Sequence, residues 1–198
     1  MRVATLLFEG VDLLDVGGPY EVFLTANRLA ERGGGAAPFE VSTVSATDGP
    51  VRAYGGLHLG ASTTLSEAVG SEIVVVPGAV DIDAVSADAQ VTSAIEALTA
   101  AAVISTSVCT GAFLLGDAGL LEGRPFTTHW EDLAALSQRL DAPEGRARRA
   151  PWVDSGEVVT AGGLSCGISM ALHMVDRLVG HDSAVAVARQ IDYAWEPG

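Results

Sequence analysis

A cysteine set between a β-branched run and a glycine has the setting of a nucleophile. In Ser107-Val108-Cys109-Thr110-Gly111 the order is small residue, spacer, nucleophile, spacer, glycine, the pattern of an elbow where a strand turns sharply into a helix. Such a turn is expected to hold Cys109 strained and exposed over the helix N-terminus. Free amide N–H groups and the helix dipole favour negative charge there, so the thiol is expected to ionise near neutral pH. Thr110 follows it directly.

A thiolate that attacks an electrophile needs a proton carrier. Asp15, the last residue of Val11-Asp12-Leu13-Leu14-Asp15, is the candidate. A protonated carboxyl can hydrogen-bond sulfur and shuttle a proton, provided burial raises its pKa. Standing before Pro19, the same residue also reads as a loop or capping carboxylate. Pro77-Gly78-Ala79 follows an apolar run, and Gly78 lets backbone N–H groups approach developing negative charge, so Gly78 and Ala79 form a candidate oxyanion site. His129, in Thr127-Thr128-His129-Trp130, reads either as a general base for Cys109 or as a half-buried structural histidine. Cys166 opens an apolar helix and reads as core. Asp81 and Asp83 read as caps of the next helix. His58, His173 and His181 lack ligand spacing, and no structural or catalytic metal is expected. Gly17-Gly18-Pro19 lacks the spacing of a dinucleotide fingerprint.

These residues need a frame that gathers them. Val3 to Phe8, Phe39 to Ser45, Glu72 to Val76 and Ala102 to Ser107 read as strands, as does the stretch around Phe126. Val51 to Leu59 and Trp152 to Thr160 read as hairpins. Helices are expected from Pro19 to Ala30, Val91 to Ala101, Thr110 to Ala118, Trp130 to Leu140, Ser165 to Val179 and Ser183 to Tyr193. Glu9 to Gly18 reads as a loop carrying Asp12 and Asp15. Alternating strands and helices imply a three-layer α/β/α sandwich with a mainly parallel, flavodoxin-like sheet. In such sheets sites gather beyond the carboxyl ends of the strands. The loops 9–18, 77–80 and 107–110 all fall there. No repeat, linker or boundary divides residues 1–198, so one domain is expected.

Composition excludes several functions. The net charge of −14 opposes binding to nucleic acid or anionic lipid. Arg146, Arg148 and Arg149 form a short basic run, read as a solvated loop with an option on anionic ligands. All 11 basic residues are arginine, which removes lysine Schiff-base chemistry and the lysine phosphate loop. Two cysteines do not suggest a disulfide framework, and no leader pattern or membrane-length apolar run is seen. A cytoplasmic protein is therefore expected.

With these residues assembled, the chain resembles the ThiJ/PfpI superfamily, the class I glutamine amidotransferase-like group. The likeness rests on residues 12–23, Val76-Pro77-Gly78, residues 107–115, Thr127-Thr128-His129-Trp130 and Thr160-Ala161-Gly162-Gly163. Within it, the pairing of Asp15 with Cys109-Thr110 is most similar to the isonitrile hydratases. The peptidases of the superfamily carry histidine directly after the cysteine and usually glutamate from the first loop. Thr110 and Asp15 stand there instead, which disfavours peptidase and glyoxalase activity. The resemblance implies cofactor-free conversion of an isonitrile to a formamide through a cysteine thioimidate released by water that Thr110 or Asp15 orders, and a homodimer. Leu14, Tyr20 and Trp130 are the expected lining for the substrate's R group. The amidotransferase-like domains of AraC-type regulators share the same signatures, so a redox-sensing or ligand-binding module without hydratase activity is the alternative.

Overall fold

The computed structural model describes residues 1–47 and 49–196. In chain order its elements are β1 (Arg2–Leu7), α1 (Leu13–Arg32), β2 (Glu40–Ser45), β3 (Val51–Arg52), β4 (His58–Leu59), α2 (Leu65–Ala68), β5 (Ile73–Val76), α3 (Ile82–Ser86), α4 (Ala89–Thr99), β6 (Ile104–Ser107), α5 (Gly111–Asp117), α6 (Leu133–Arg139), β7 (Trp152–Asp154), β8 (Val158–Ala161), α7 (Cys166–Leu178) and α8 (His181–Gln190). Six strands form one sheet in the order β2-β1-β5-β6-β8-β7. All neighbours run parallel except β7, which returns antiparallel along β8. The short hairpin β3–β4 stands apart.

Strand alternation divides the core in two. Val74 and Val76 of β5 point to one apolar layer with Ile95, Leu98 and Leu114. Ile73 and Val75 point to the other, with Val22, Phe23, Met170 and Leu172. A strand buried on both faces reads as a continuous apolar run, as Ile73–Val76 does. The expected sandwich is therefore present, with α1, α7 and α8 on one face and α3, α4 and α5 on the other. No helix among the described residues is long and apolar enough to cross a membrane.

The structure corrects the reading of residues 9–18 as a loop. Asp12 is the extended N-cap and α1 begins at Leu13, so Asp15 lies in the first turn of a helix. Pro19 is inside that helix rather than at its first position. Gly17-Gly18-Pro19 has poor helical propensity, and packing overrides it. A Cβ on Gly18 would come within 3.0 Å of Ile168 Cγ1, and one on Gly167 would meet Val108 at 2.9 Å and the Pro19 ring at 3.3 Å. The glycines let α1, α7 and the elbow close up. Phe126 is the second correction. It forms an isolated bridge with Ala147, not a strand. Helix α2 is absent from the sequence reading, while α3 carries the cap expected of Asp81, with Asp83 inside its first turn. Each is a single short turn capped by a side chain, Thr64 and Asp81 respectively.

Candidate functional site

Strands β5, β6 and β8 end level with one another, with Val76 opposite Ser107 and Ser107 opposite Thr160. The chain leaves all three into the same region. Cys109 sits at the turn from β6 into α5 with φ +55°, a left-handed conformation costing about 1–2 kcal/mol for a side-chain-bearing residue. Its backbone is held at both ends. The Cys109 N–H donates to the Gly162 carbonyl at 2.8 Å, and the Cys109 carbonyl accepts from Thr128 Oγ1 at 2.8 Å. The strained elbow is thus present.

The expected exposure and ready ionisation of the thiol are not. Cys109 is 5 % exposed. Burial pushes its pKa up to about 12, and the nearby Asp15 carboxylate adds to the rise. The N–H groups of Leu164 and Thr110 work the other way and favour the thiolate. A helix terminus contributes on the order of 1 kcal/mol, less than the desolvation of a buried charge. Desolvation wins, and Cys109 rests as a thiol.

Asp15 is fully buried. Burial raises its carboxyl to about 7, against a hydrogen bond from Gly78 that lowers it. The Gly78 N–H donates to Oδ2 at 2.9 Å, while Oδ1 has no protein partner. Asp12 joins the pair: ligand-type atoms of Asp12, Asp15 and Cys109 all lie within 4.8 Å of one another. Asp12 is half-buried, and its pKa is raised by desolvation and lowered by His129. Among the described residues this is the one trio of potential metal donors.

Gly78 and Ala79 are differently employed than expected of an oxyanion site. The Gly78 N–H is taken by Asp15, and the Ala79 N–H donates to Thr110 Oγ1 at 2.9 Å. The Thr110 hydroxyl donates back to the Ala79 carbonyl at 2.8 Å, so its side chain fastens the 77–80 loop. Gly78 could not be another residue without movement: a Cβ would lie 2.5 Å from Thr110 Oγ1 and 3.0 Å from Asp15 Oδ2. The amide groups that do face the sulfur belong to Thr110 and Leu164. Leu164 takes φ +33°, a second strained residue at the site.

His129 makes no hydrogen bond to Cys109. Its Nδ1 lies 3.5 Å from Asp132 Oδ2 and 3.7 Å from Glu131 Oε2, and its carbon edge packs on Gly163. It reaches the site only through its field on Asp12. Cys166 is half-buried and packs against the second core layer, with one side on a cavity that includes Trp130. Leu14 and Tyr20 do not line that cavity. Asp12 and Leu164 were missed from the sequence: Asp12 looked like a loop acid, and Leu164 acts through its backbone.

The DJ-1/PfpI family model matches residues 1–177. The isonitrile hydratase of Pseudomonas putida is 33% identical over 199 residues, covering 100% of this chain and 80% of that protein. The HTH-type transcriptional regulator GlxA of Rhizobium meliloti is 29% identical over 188 residues, covering 94% of this chain but 56% of the regulator. Among solved structures, a ThiJ/PfpI family protein from Pseudomonas syringae superposes with a TM-score of 0.83 at 26% identity, covering 99% of this chain and 76% of that one.

Proposed function

The chain belongs to the DJ-1/PfpI family, and from that premise we propose that it hydrates an organic isonitrile, R–N≡C, to the N-substituted formamide. The observation that carries this reading is the Asp15–Cys109 pair: a fully buried carboxyl with a pKa of about 7, anchored through one oxygen and open at the other, beside a thiol at the elbow. Likeness to the Pseudomonas putida hydratase over the whole chain supports it.

The residues divide the work. Asp15 carboxylate takes the Cys109 proton, and the Leu164 and Thr110 N–H groups support the thiolate so formed. Sulfur attacks the terminal isonitrile carbon while Asp15 returns its proton to that carbon. The product is the thioimidate R–N=CH–S–Cys109. Asp15, again a carboxylate, then takes a proton from water as the water oxygen adds to the same carbon, and delivers that proton to nitrogen. The tetrahedral adduct R–NH–CH(OH)–S–Cys109 collapses to R–NH–CHO and the free thiol. A carboxyl with pKa near 7 suits both halves, because it is present in both protonation states at neutral pH. Thr110 and Gly78 hold Asp15 and the 77–80 loop in place, and Asp12 and His129 tune the field.

Purified protein mixed with a simple aryl isonitrile is expected to form the formamide, and Cys109→Ala to abolish turnover. An unaffected rate in Cys109→Ala overturns the mechanism. A second reading is favoured by the regulator relatives: a ligand-binding module without turnover. Absence of formamide across aryl and alkyl isonitriles selects it, whereas the burial and protonation of Cys109 count against a peroxide sensor. We read residues 1–198 as one cytoplasmic unit, its two cysteines free, and as a homodimer. Hydrogen bonds from Tyr54 to Val11 and from Gly10 to Arg52 tie the hairpin to the segment before α1. Exposed Leu13, Leu14, Tyr54 and Leu57 therefore come from adjoining segments and supply apolar surface. Light scattering giving the mass of one chain at micromolar concentration overturns the dimer.

A further inference from the structure

The arginine run at 146–149 divides in the fold. Arg146 donates to the Gly123 carbonyl. Arg149 instead lies over the indole of Trp130, 5.7 Å from the ring centroid. Arg52, Arg124, Arg139 and Arg177 pair with carboxylates; Arg149 pairs with none among the described residues. The acids that follow Trp130, Glu131 and Asp132, are turned to His129. Arg2, Arg28, Arg32, Arg146, Arg148 and Arg189 likewise have no carboxylate on their guanidinium groups among the described residues; Arg149 differs in sitting over an aromatic ring at the wall of a cavity.

The cavity has a volume of about 280 Å³ and is lined by Thr127, Thr128, Trp130, Arg149, Gly162 and Cys166 among others. It lies just below the usual range of ligand cavities, roughly 300–1,000 Å³. Its polar wall groups are engaged elsewhere. Thr128 Oγ1 donates to the Cys109 carbonyl, Thr127 Oγ1 donates to backbone carbonyls, and the Gly162 carbonyl accepts from Cys109. What remains is apolar surface, one aromatic face and one cation. Cys109 is not part of the lining, although Thr128 and Gly162 hold its backbone.

We propose that this cavity binds a small apolar monocarboxylate, its carboxylate on the Arg149 fork and its aryl or alkyl body against Trp130. A planar guanidinium takes a carboxylate through two parallel N–H bonds. Its place over the Trp130 ring favours a guanidinium position at the cavity wall by about two- to five-fold. An apolar cavity with one placed charge selects a ligand that is apolar with one opposite charge.

Cys166 lines the cavity and reports on it. The full chain is alkylated with N-ethylmaleimide, and modification of Cys166 is followed by peptide mass spectrometry with sodium phenylacetate or phenylacetamide present. Phenylacetate is expected to slow Cys166 alkylation saturably, and the uncharged amide to leave it unchanged. Arg149→Gln is expected to raise the half-protecting concentration about five-fold, the effect of one partly exposed charge-assisted pair. Arg148→Gln, a neighbouring charge outside the cavity, is expected to change nothing. The Trp130 indole N–H resonance, titrated with the same two compounds, must show the same preference. Equal protection by the amide, no protection or shift at tens of millimolar phenylacetate, or an unchanged Arg149→Gln variant overturns the site. No step of isonitrile hydration enters this test, so its failure and that of the hydratase assay are separate.

Discussion

Replacing Asp15 by asparagine keeps an oxygen to accept from the Gly78 N–H and removes an ionisation that burial opposes. The carboxyl moves from the ordinary 3.8 to about 7 in the folded protein. Between those values the folded chain holds a proton that the unfolded chain has released. The stability contribution of Asp15 is therefore complete below its unfolded pKa and is lost as pH rises through about 7. Integrated from roughly pH 5 to roughly pH 8, the wild type loses about 3 kcal/mol that Asp15→Asn does not. A pH-independent cost of the substitution, such as burying a carboxamide N–H where Oδ1 has no protein partner, cancels when the difference between the proteins is compared at the two pH values. Urea unfolding followed by circular dichroism gives both differences. The relative gain of Asp15→Asn corresponds to roughly 6–12 °C in Tm for a domain of this size. Parallel stability profiles for the two proteins would refute the assignment of Asp15 as a carboxyl that ionises against its surroundings.

The same substitution is expected to lower the Cys109 pKa while turnover falls. One charge within 4.8 Å, at an effective dielectric of about 20, is worth about 3.5 kcal/mol, so the thiol drops by about two and a half pH units. The pH profile of iodoacetamide alkylation reads this directly, and an unmoved profile shows that the two groups are not coupled. Thr110→Val strips the Ala79 N–H and carbonyl of their partner and is expected to cost roughly 2–4 kcal/mol in denaturant unfolding. Thr110→Ser restores most of it; equal loss in both variants would mean that the methyl group, not the hydroxyl, matters. Gly78→Ala drives a Cβ to within 2.5 Å of Thr110 Oγ1 and is expected to destabilise by about 1–3 kcal/mol. It should also shift the Asp15 titration, and wild-type stability with an unshifted titration would contradict the packing described.

The order of elements was legible because β-branched runs such as Ile73–Val76 and punctuating glycines carry strong local signals. The elbow was legible because a cysteine between a strand and a glycine-led helix has few other uses. Three things were not. Asp15 lies in a helix because α7 packs on Gly18 and Pro19, which residues 9–19 do not announce. The thiol's resistance to ionisation depends on how deep the turn lies in the fold, and depth is a tertiary property. Leu164 offers only a backbone N–H, fixed by a positive φ that no leucine advertises. His129 illustrates the opposite case: its residue type left a base or a structural histidine open, and its Nδ1 accepts from the Glu131 N–H at 3.4 Å while its carbon edge lies on Gly163.

The level ending of three parallel strands has a kinetic side. Asp15, Gly78, Cys109 and Leu164 come from segments spread along most of the chain, and the Gly78–Asp15 bond alone spans 63 residues. Contacts of such sequence separation form late, after the loops between them have been closed. The wall around Cys109 is then among the last features to assemble during refolding. Until it does, the sulfur is an ordinary accessible thiol. Quenched labelling of Cys109 during refolding would thus time the completion of the parallel sheet, with the nucleophile as the clock.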